Sequence, residues 1–288
     1  MSEERARPPV SPSLSGRRVR RAGAIWIGVC LSIGSTVACG GARGPAQSDA
    51  ELWDRVQRSK TLRVAMVLQF PPQFYRDPQT HEPAGYDVEM LKLMAKDLGV
   101  ELKIEDMDFT ASVPSLVAGR VDLIANGLVN TPERAKTIQF TEPYVPYQLI
   151  AMIQKDGGIV DAPKLNQPGR TVSVLLGSTS HELAKLLFPK AEIRALDRQD
   201  ACMLEVSSKK ADACLMERYL AIPYVRNNPQ TTALLNPDKP FAVQYGCLAI
   251  QYGSPRFLYW VNNWLKYYKA SGILDALYDR IIGPSLNL

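Results

Sequence analysis

The run TVSVLLGSTSHELAKLLFPKAEIRALDRQDACMLEVSSKKADACLM, residues 171–216, decides the fold class. Short apolar stretches at 171–175, 191–195 and 211–216, bounded by polar and turn residues, predict strands. The intervening segments 180–187 and 199–207 predict helices. Strands that alternate with helices imply a parallel sheet covered on both faces, the α/β class.

Moving towards the N-terminus, the same alternation appears once more. Residues 62–67 predict a strand, followed by the turn-rich Phe70-Pro71-Pro72. In 86–99 the apolar residues Val88, Leu91, Met94 and Leu98 recur near helical spacing, and Gly99 provides a stop. A strand at 101–105, a helix at 113–118 and a strand at 121–125 complete this run. A crossing at 148–153 separates the two runs, which therefore form two lobes. The apolar strand at 245–251 and C-terminal helices rich in Trp260, Trp264, Tyr267 and Tyr268 have no partners in the second run. Packed back on the first lobe, they require a second crossing. The expected boundaries are 52–147 plus 247–288 for lobe 1 and 148–246 for lobe 2.

Before the lobes, Arg17 to Arg21 form a basic run, and an uncharged apolar stretch from Ala22 to Ala38 follows. This pattern predicts an export signal over 1–38 and a Gly-, Ala- and Pro-rich tether over 39–51. Cys39, after Val37-Ala38, is a candidate for lipid modification; ordinary cleavage nearby is the alternative. Six arginines against two glutamates in 1–38 account for most of the net charge of +5, leaving +1 for 39–288. Such a body is no polyanion binder, and no nucleic-acid partner is expected. Cys202, Cys214 and Cys247 are odd in number and lack CxxC spacing. Buried thiols are the default, with one disulfide left open. His81 and His181 have no metal-ligand spacing, so neither metal nor cofactor is expected.

The chemistry is concentrated at Asn126-Gly127-Leu128-Val129-Asn130-Thr131-Pro132-Glu133-Arg134. Thr131 and Pro132 suit the start of a helix, which would set Arg134 in its first turn. A cation is unfavourable there unless an anion lies between it and the free N–H groups. At Gly177-Ser178-Thr179-Ser180-His181-Glu182, Thr179 and Glu182 have capping-box spacing. Glu217, at the C-terminal end of a predicted strand, lies where open α/β sheets place ligand groups and could hold an ammonium. Phe70 could stack on a ligand or pack in the core. A surface ion pair, a plain cap and a solvated loop acid are the respective alternatives for Arg134, Thr179 and Glu217.

In combination, Leu62-Arg63-Val64, Phe70-Pro71-Pro72, Gly85-Tyr86-Asp87-Val88, Gly119-Arg120-Val121-Asp122, Thr131-Pro132-Glu133-Arg134 and Phe140-Thr141-Glu142-Pro143-Tyr144 resemble the bacterial extracellular solute-binding proteins of family 3, over about residues 60–283. The resemblance implies a two-lobed type II periplasmic-binding fold with two chain crossings at the hinge. It also implies a monomeric, non-enzymatic protein outside the cytoplasm that delivers an amino-acid-like ligand to the membrane subunits of an ABC importer. Arg134 would hold the ligand carboxylate with help from Ser178 and Thr179, Glu217 the ammonium, and Phe70 the stacking position. Asn126 and Gly127 would add contacts. Val67 stands where receptors for basic amino acids often carry an acid, and Val129 where a ligand-binding Ser or Thr is common, which implies a neutral or modestly polar ligand. The C-terminal half also resembles periplasmic cyclohexadienyl or arogenate dehydratases, the alternative function, but the place expected for their catalytic acid falls near Leu220.

Overall fold

A computed structural model describes residues 49–287. The expected export signal, tether residues 39–48 and Cys39 lie outside the described residues. The folded body begins at Asp49, three residues before the expected start at Leu52, in a helix that buries Leu52 and Val56.

Ten strands form one mixed sheet with an eight-strand main path. In chain order these eight are β1 (Thr61–Met66), β2 (Glu101–Asp106), β3 (Leu123–Val129), β4 (Val145–Gln154), β5 (Thr171–Leu175), β6 (Glu192–Leu196), β7 (Ala213–Glu217) and β8 (Ala242–Ile250). Their spatial order is β6-β5-β7-β4-β8-β3-β1-β2. β2, β1 and β3 form one parallel group, and β6, β5 and β7 form the other. Between them the long strands β4 and β8 run antiparallel and connect both groups. β8 pairs with β4 from Ala242 to Gly246, then with β3 from Gly246 to Ala249. The two-lobed α/β fold with two crossings is thus present.

The longer helices are α1 (Asp49–Ser59), α2 (Tyr86–Leu98), α3 (Phe109–Val117), α4 (Thr179–Leu187), α5 (Gln199–Ser207), α6 (Arg218–Asn227), α7 (Pro255–Ala270) and α8 (Ile273–Ile281). All four apolar positions predicted for α2 are buried. Gly99 ends the helix at φ +66°, where its N–H reaches Lys96 O and that of Val100 reaches Ala95 O. Only a residue without a Cβ adopts that left-handed turn cheaply. All of β5 is buried, as expected for a strand covered on both faces. α7 packs on α1 and α8 on α2, so the C-terminal helices return to the first group.

Two local expectations are corrected. No α-helix starts at Thr131: β3 continues to Val129, and only a 3-10 turn, Arg134–Lys136, follows. The cause is pairing with β8, since Val129 lies opposite Gly246 and Gln139 opposite Ile250. The segment between these two contacts is tied to β8 at both ends and contains only the 3-10 turn. The cap of α4 is Ser178, whose hydroxyl accepts from His181 N at 3.2 Å, so Thr179 is already helical and the capping box is absent. Cys202, Cys214 and Cys247 are buried free thiols.

Candidate ligand-binding site

The C-terminal ends of β3, β5 and β7 and the segment after β1 meet around one cavity between the two parallel groups, where α/β sheets present ligand-contacting groups. Phe70, Asn126, Gly127, Arg134, Ser178, Thr179 and Glu217 all line it. The space open to the centres of water-sized spheres is about 30 Å³, enough for about two waters.

Among the described residues no carboxylate pairs with Arg134 in this wall. Its Nη1 donates to Val129 O and its Nη2 to Gly177 O, both at 2.9 Å. The guanidinium lies 5.7 Å from the Phe109 ring centroid. Burial lowers its pKa to about 10, which records the cost of desolvating a cation whose hydrogen-bond partners are neutral carbonyls.

Glu217 faces the same cavity from the end of β7 and the start of α6. Among the described ion pairs its carboxylate has no cation, and the protein around it raises its pKa by desolvation. The hydrogen bond from its own backbone N–H opposes this shift without cancelling it. Two opposite charges therefore flank one small space, and among the described residues neither has a complementary ionic group.

The other predicted residues are engaged within the protein. Asn126 Oδ1 accepts from Val67 N at 2.9 Å, and its Nδ2 donates to Ser112 Oγ at 2.7 Å. Ser178 Oγ donates to Leu175 O, while Thr179 Oγ1 donates to Gln244 Oε1 at 2.6 Å. Gly127, at φ +56°, is required by packing: a Cβ there would lie 1.8 Å from Tyr147 Oη. Phe70 is buried against Phe74, with ring centroids 5.0 Å apart.

Val129 lines the cavity too, and sequence reasoning did not single out Phe74, Phe109, Leu128, Tyr147, Leu175 or Tyr219, which complete the lining. Their positions near strand ends supplied a signal for three of them. Leu175 ends β5, Tyr219 follows the end of β7, and Phe109 opens the helix after β2. Tyr147 enters from the crossing strand β4 and had no such signal.

Behind Tyr147 lies a sealed polar chain. Gln73 Nε2 donates to Tyr147 Oη at 2.5 Å and to Asp87 Oδ1 at 3.2 Å. Tyr144 Oη donates to Asp87 Oδ2 at 2.6 Å. Asp87 is fully buried, and desolvation raises its pKa to about 7 despite those two donors.

Comparison with known proteins agrees with this architecture. The family model for bacterial extracellular solute-binding proteins, family 3, matches residues 62–284. The arginine-binding extracellular protein ArtP of Bacillus subtilis (strain 168) is 30% identical over 216 residues, covering 74% of this chain and 79% of its own length. The L-cystine-binding protein TcyJ of Escherichia coli (strain K12) is 26% identical over 241 residues, covering 83% and 89%. Among solved structures, the ancestral amino acid-binding protein AncCDT-1, a precursor of cyclohexadienyl dehydratase, superposes with a TM-score of 0.74 at 31% identity, covering 80% of this chain and 99% of that one. L-arginine-bound AbpA from Streptococcus pneumoniae gives 0.73 at 26% identity, covering 82% and 100%. With the sheet, the two crossings and the cleft all in place, the chain belongs to the bacterial extracellular solute-binding proteins of family 3.

Proposed function

We propose that this protein is the amino-acid receptor of an ABC importer and that it binds its ligand as a zwitterion between Arg134 and Glu217. The observation that carries the reading is their pairing across one cavity: a guanidinium without an anion and a carboxylate without a cation. An α-carboxylate on Arg134 and an α-ammonium on Glu217 would compensate both charges at once. Phe70 would pack against the ligand, and the backbone near Ser178 and Thr179 would assist the carboxylate. Asn126 and Gly127 would act by holding the cleft wall in shape.

The remaining space is too small for a free amino acid, so entry requires the lobes to separate. Lobe 1 comprises 52–147 with 247–288, and lobe 2 comprises 148–246; β4 and β8 form the hinge. Because Arg134 and Glu217 belong to different lobes, only the closed state offers both contacts, and ligand therefore shifts the population towards closure. The closed receptor then docks as a monomer on the importer's membrane subunits. Residues 1–38 direct export across the cytoplasmic membrane, and Cys39 serves as an attachment point for lipid.

A dehydratase on the same fold would need a carboxylic acid placed to protonate a leaving hydroxyl. Leu220, at the place where that acid is expected, is apolar and buried, which supports a receptor that is not an enzyme. Isothermal titration of the purified protein with individual α-amino acids, prephenate and arogenate, followed by product analysis, tests both readings. Saturable binding of an unchanged amino acid that Arg134→Ala and Glu217→Gln each weaken supports the receptor. Turnover of prephenate or arogenate would overturn it.

A further inference from the structure

We propose that the cleft selects α-amino acids with neutral, apolar side chains and rejects arginine and lysine. This inference rests on the receptor reading and narrows it. It also departs from relatives such as ArtP and AbpA, whose names record arginine binding.

The first argument is charge balance. The cavity lining contains one cation, Arg134, and one anion, Glu217. The α-carboxylate and α-ammonium of any amino acid use both. A guanidinium or ε-ammonium on the side chain would then be a third charge in a desolvated site without a counter-ion. Asp87 cannot supply one: it is fully buried beneath Gln73 and Tyr144, outside the lining. Asp106 is outside the lining, paired with Arg76 and bound to the Leu68 N–H.

Hydrogen-bond capacity gives an independent second argument. A guanidinium brings five N–H donors that need acceptors. The acceptors in the wall are neutral and partly used: the Asn126 amide oxygen accepts from Val67 N and the Ser178 hydroxyl from His181 N, while the Thr179 hydroxyl, which donates to Gln244 Oε1, keeps free lone pairs but no charge to offset a cation. The rest of the wall is apolar or aromatic, with Phe70, Phe74, Phe109, Leu128, Leu175 and Tyr219 facing the cavity. Ring faces attract a cation, but they accept no ordinary hydrogen bonds and return only part of the hydration that the cation loses. The same wall receives a leucine or phenylalanine side chain with no polar group left unpaired.

The deciding experiment is calorimetric titration of the full-length protein with L-leucine, L-phenylalanine, L-arginine and L-lysine in turn, followed by the remaining α-amino acids. The expected result is that L-leucine or L-phenylalanine binds at least tenfold more tightly than either basic amino acid. L-arginine or L-lysine within tenfold of the best apolar ligand overturns the selectivity, and so does a ligand set restricted to polar or acidic amino acids. In both cases the receptor reading survives. Absence of binding by every α-amino acid overturns the selectivity and the receptor reading together.

Discussion

Arg134 Nη2 donates to the carbonyl oxygen of Gly177 at 2.9 Å, joining the loop after β3 to the loop after β5. The bond spans the cleft, because β3 and β5 belong to different parallel groups of the sheet. One guanidinium thus latches the closed arrangement and also waits for an anion. Arg134→Ala is expected to weaken binding of the best amino-acid ligand by about 3 kcal/mol, roughly 100-fold, since Glu217 would then hold only half of a zwitterion. The ligand-free variant should also be more open, with a larger radius of gyration by small-angle scattering. Arg134→Lys should recover only part of the affinity, because an ammonium lacks the planar fork that grips a carboxylate. Wild-type affinity in Arg134→Ala would remove Arg134 from the site.

Glu217 makes binding sensitive to pH. Its carboxyl titrates above the usual 4.5 because it is desolvated, whereas an ammonium bound beside it would pull that pKa down. Ligand binding should therefore release protons at mildly acidic pH, and affinity should fall as pH drops through the raised pKa. Titrations in buffers of different ionisation enthalpy measure the release directly. In Glu217→Gln the proton release should vanish along with most of the affinity. A variant that still releases protons would assign the effect to another group.

Asp87 should give a different pH dependence, in stability rather than binding. Its folded pKa, about 7, lies above the ordinary 3.8, so between these values the native state keeps a proton that the unfolded chain gives up. Stability from this group is present below the unfolded pKa and is lost as pH rises towards 7, a swing of roughly 2–4 kcal/mol by linkage. Asp87→Asn mimics the protonated side chain and should flatten that part of the curve. Urea unfolding of both proteins at pH 5 and pH 8 makes the comparison. Parallel losses in the two would clear Asp87 of the effect.

The legible features were those controlled by local pattern. The apolar spacing of α2 and its glycine stop, the buried run of β5, and the position of Glu217 at a strand end follow from side-chain periodicity and a rule about sheet edges. The failures occurred where distant pairing overrides local preference. Thr131-Pro132 has good helix-start chemistry, yet β8 holds the chain on both sides of it. Asn126 lines the cavity as expected, while the long-range bonds of its amide to Val67 and Ser112, 59 and 14 positions away, had no local signal. Tyr147 was invisible for the same reason, since its place depends on neighbours on two other strands.

Those neighbours are Gly127 and Gly246. A Cβ on Gly127 would lie 1.8 Å from Tyr147 Oη, and one on Gly246 would lie 2.7 Å from its ring. Gly127→Ala also meets a left-handed backbone, so steric overlap and strain both oppose it. A loss of about 2–4 kcal/mol in unfolding free energy is expected. Tyr147→Phe removes the closest atom, but the Tyr147 Cζ position at 2.7 Å stays occupied. The double variant should therefore be partly rescued, and a double-mutant cycle by urea denaturation reads the coupling. Strict additivity would mean that the two side chains do not compete for the slot.

Asp122 and Asp212 perform the same task in the two parallel groups, and their surroundings predict unequal costs of loss. Asp122 Oδ2 accepts from Arg63 N at 3.0 Å, and Asp212 Oδ2 accepts from Thr171 N at 2.8 Å. In return, the N–H of each aspartate donates to the carbonyl of the same strand residue at 2.8 Å. Each carboxylate thus pins the start of β1 or β5 to the chain entering β3 or β7. Asp122 is fully enclosed and receives two arginines, Arg55 and Arg63, whereas Asp212 is 16% exposed and receives Arg170. Removing the charge at Asp122 strands two partly buried cations, so Asp122→Asn should cost about 3 kcal/mol, while Asp212→Asn should cost about 1–2 kcal/mol because water can replace part of the pair. Both positions lie at the opposite ends of the strands from the cleft, so ligand affinity should be unchanged in each. Equal costs in urea unfolding would show that enclosure does not set the strength of the two clamps.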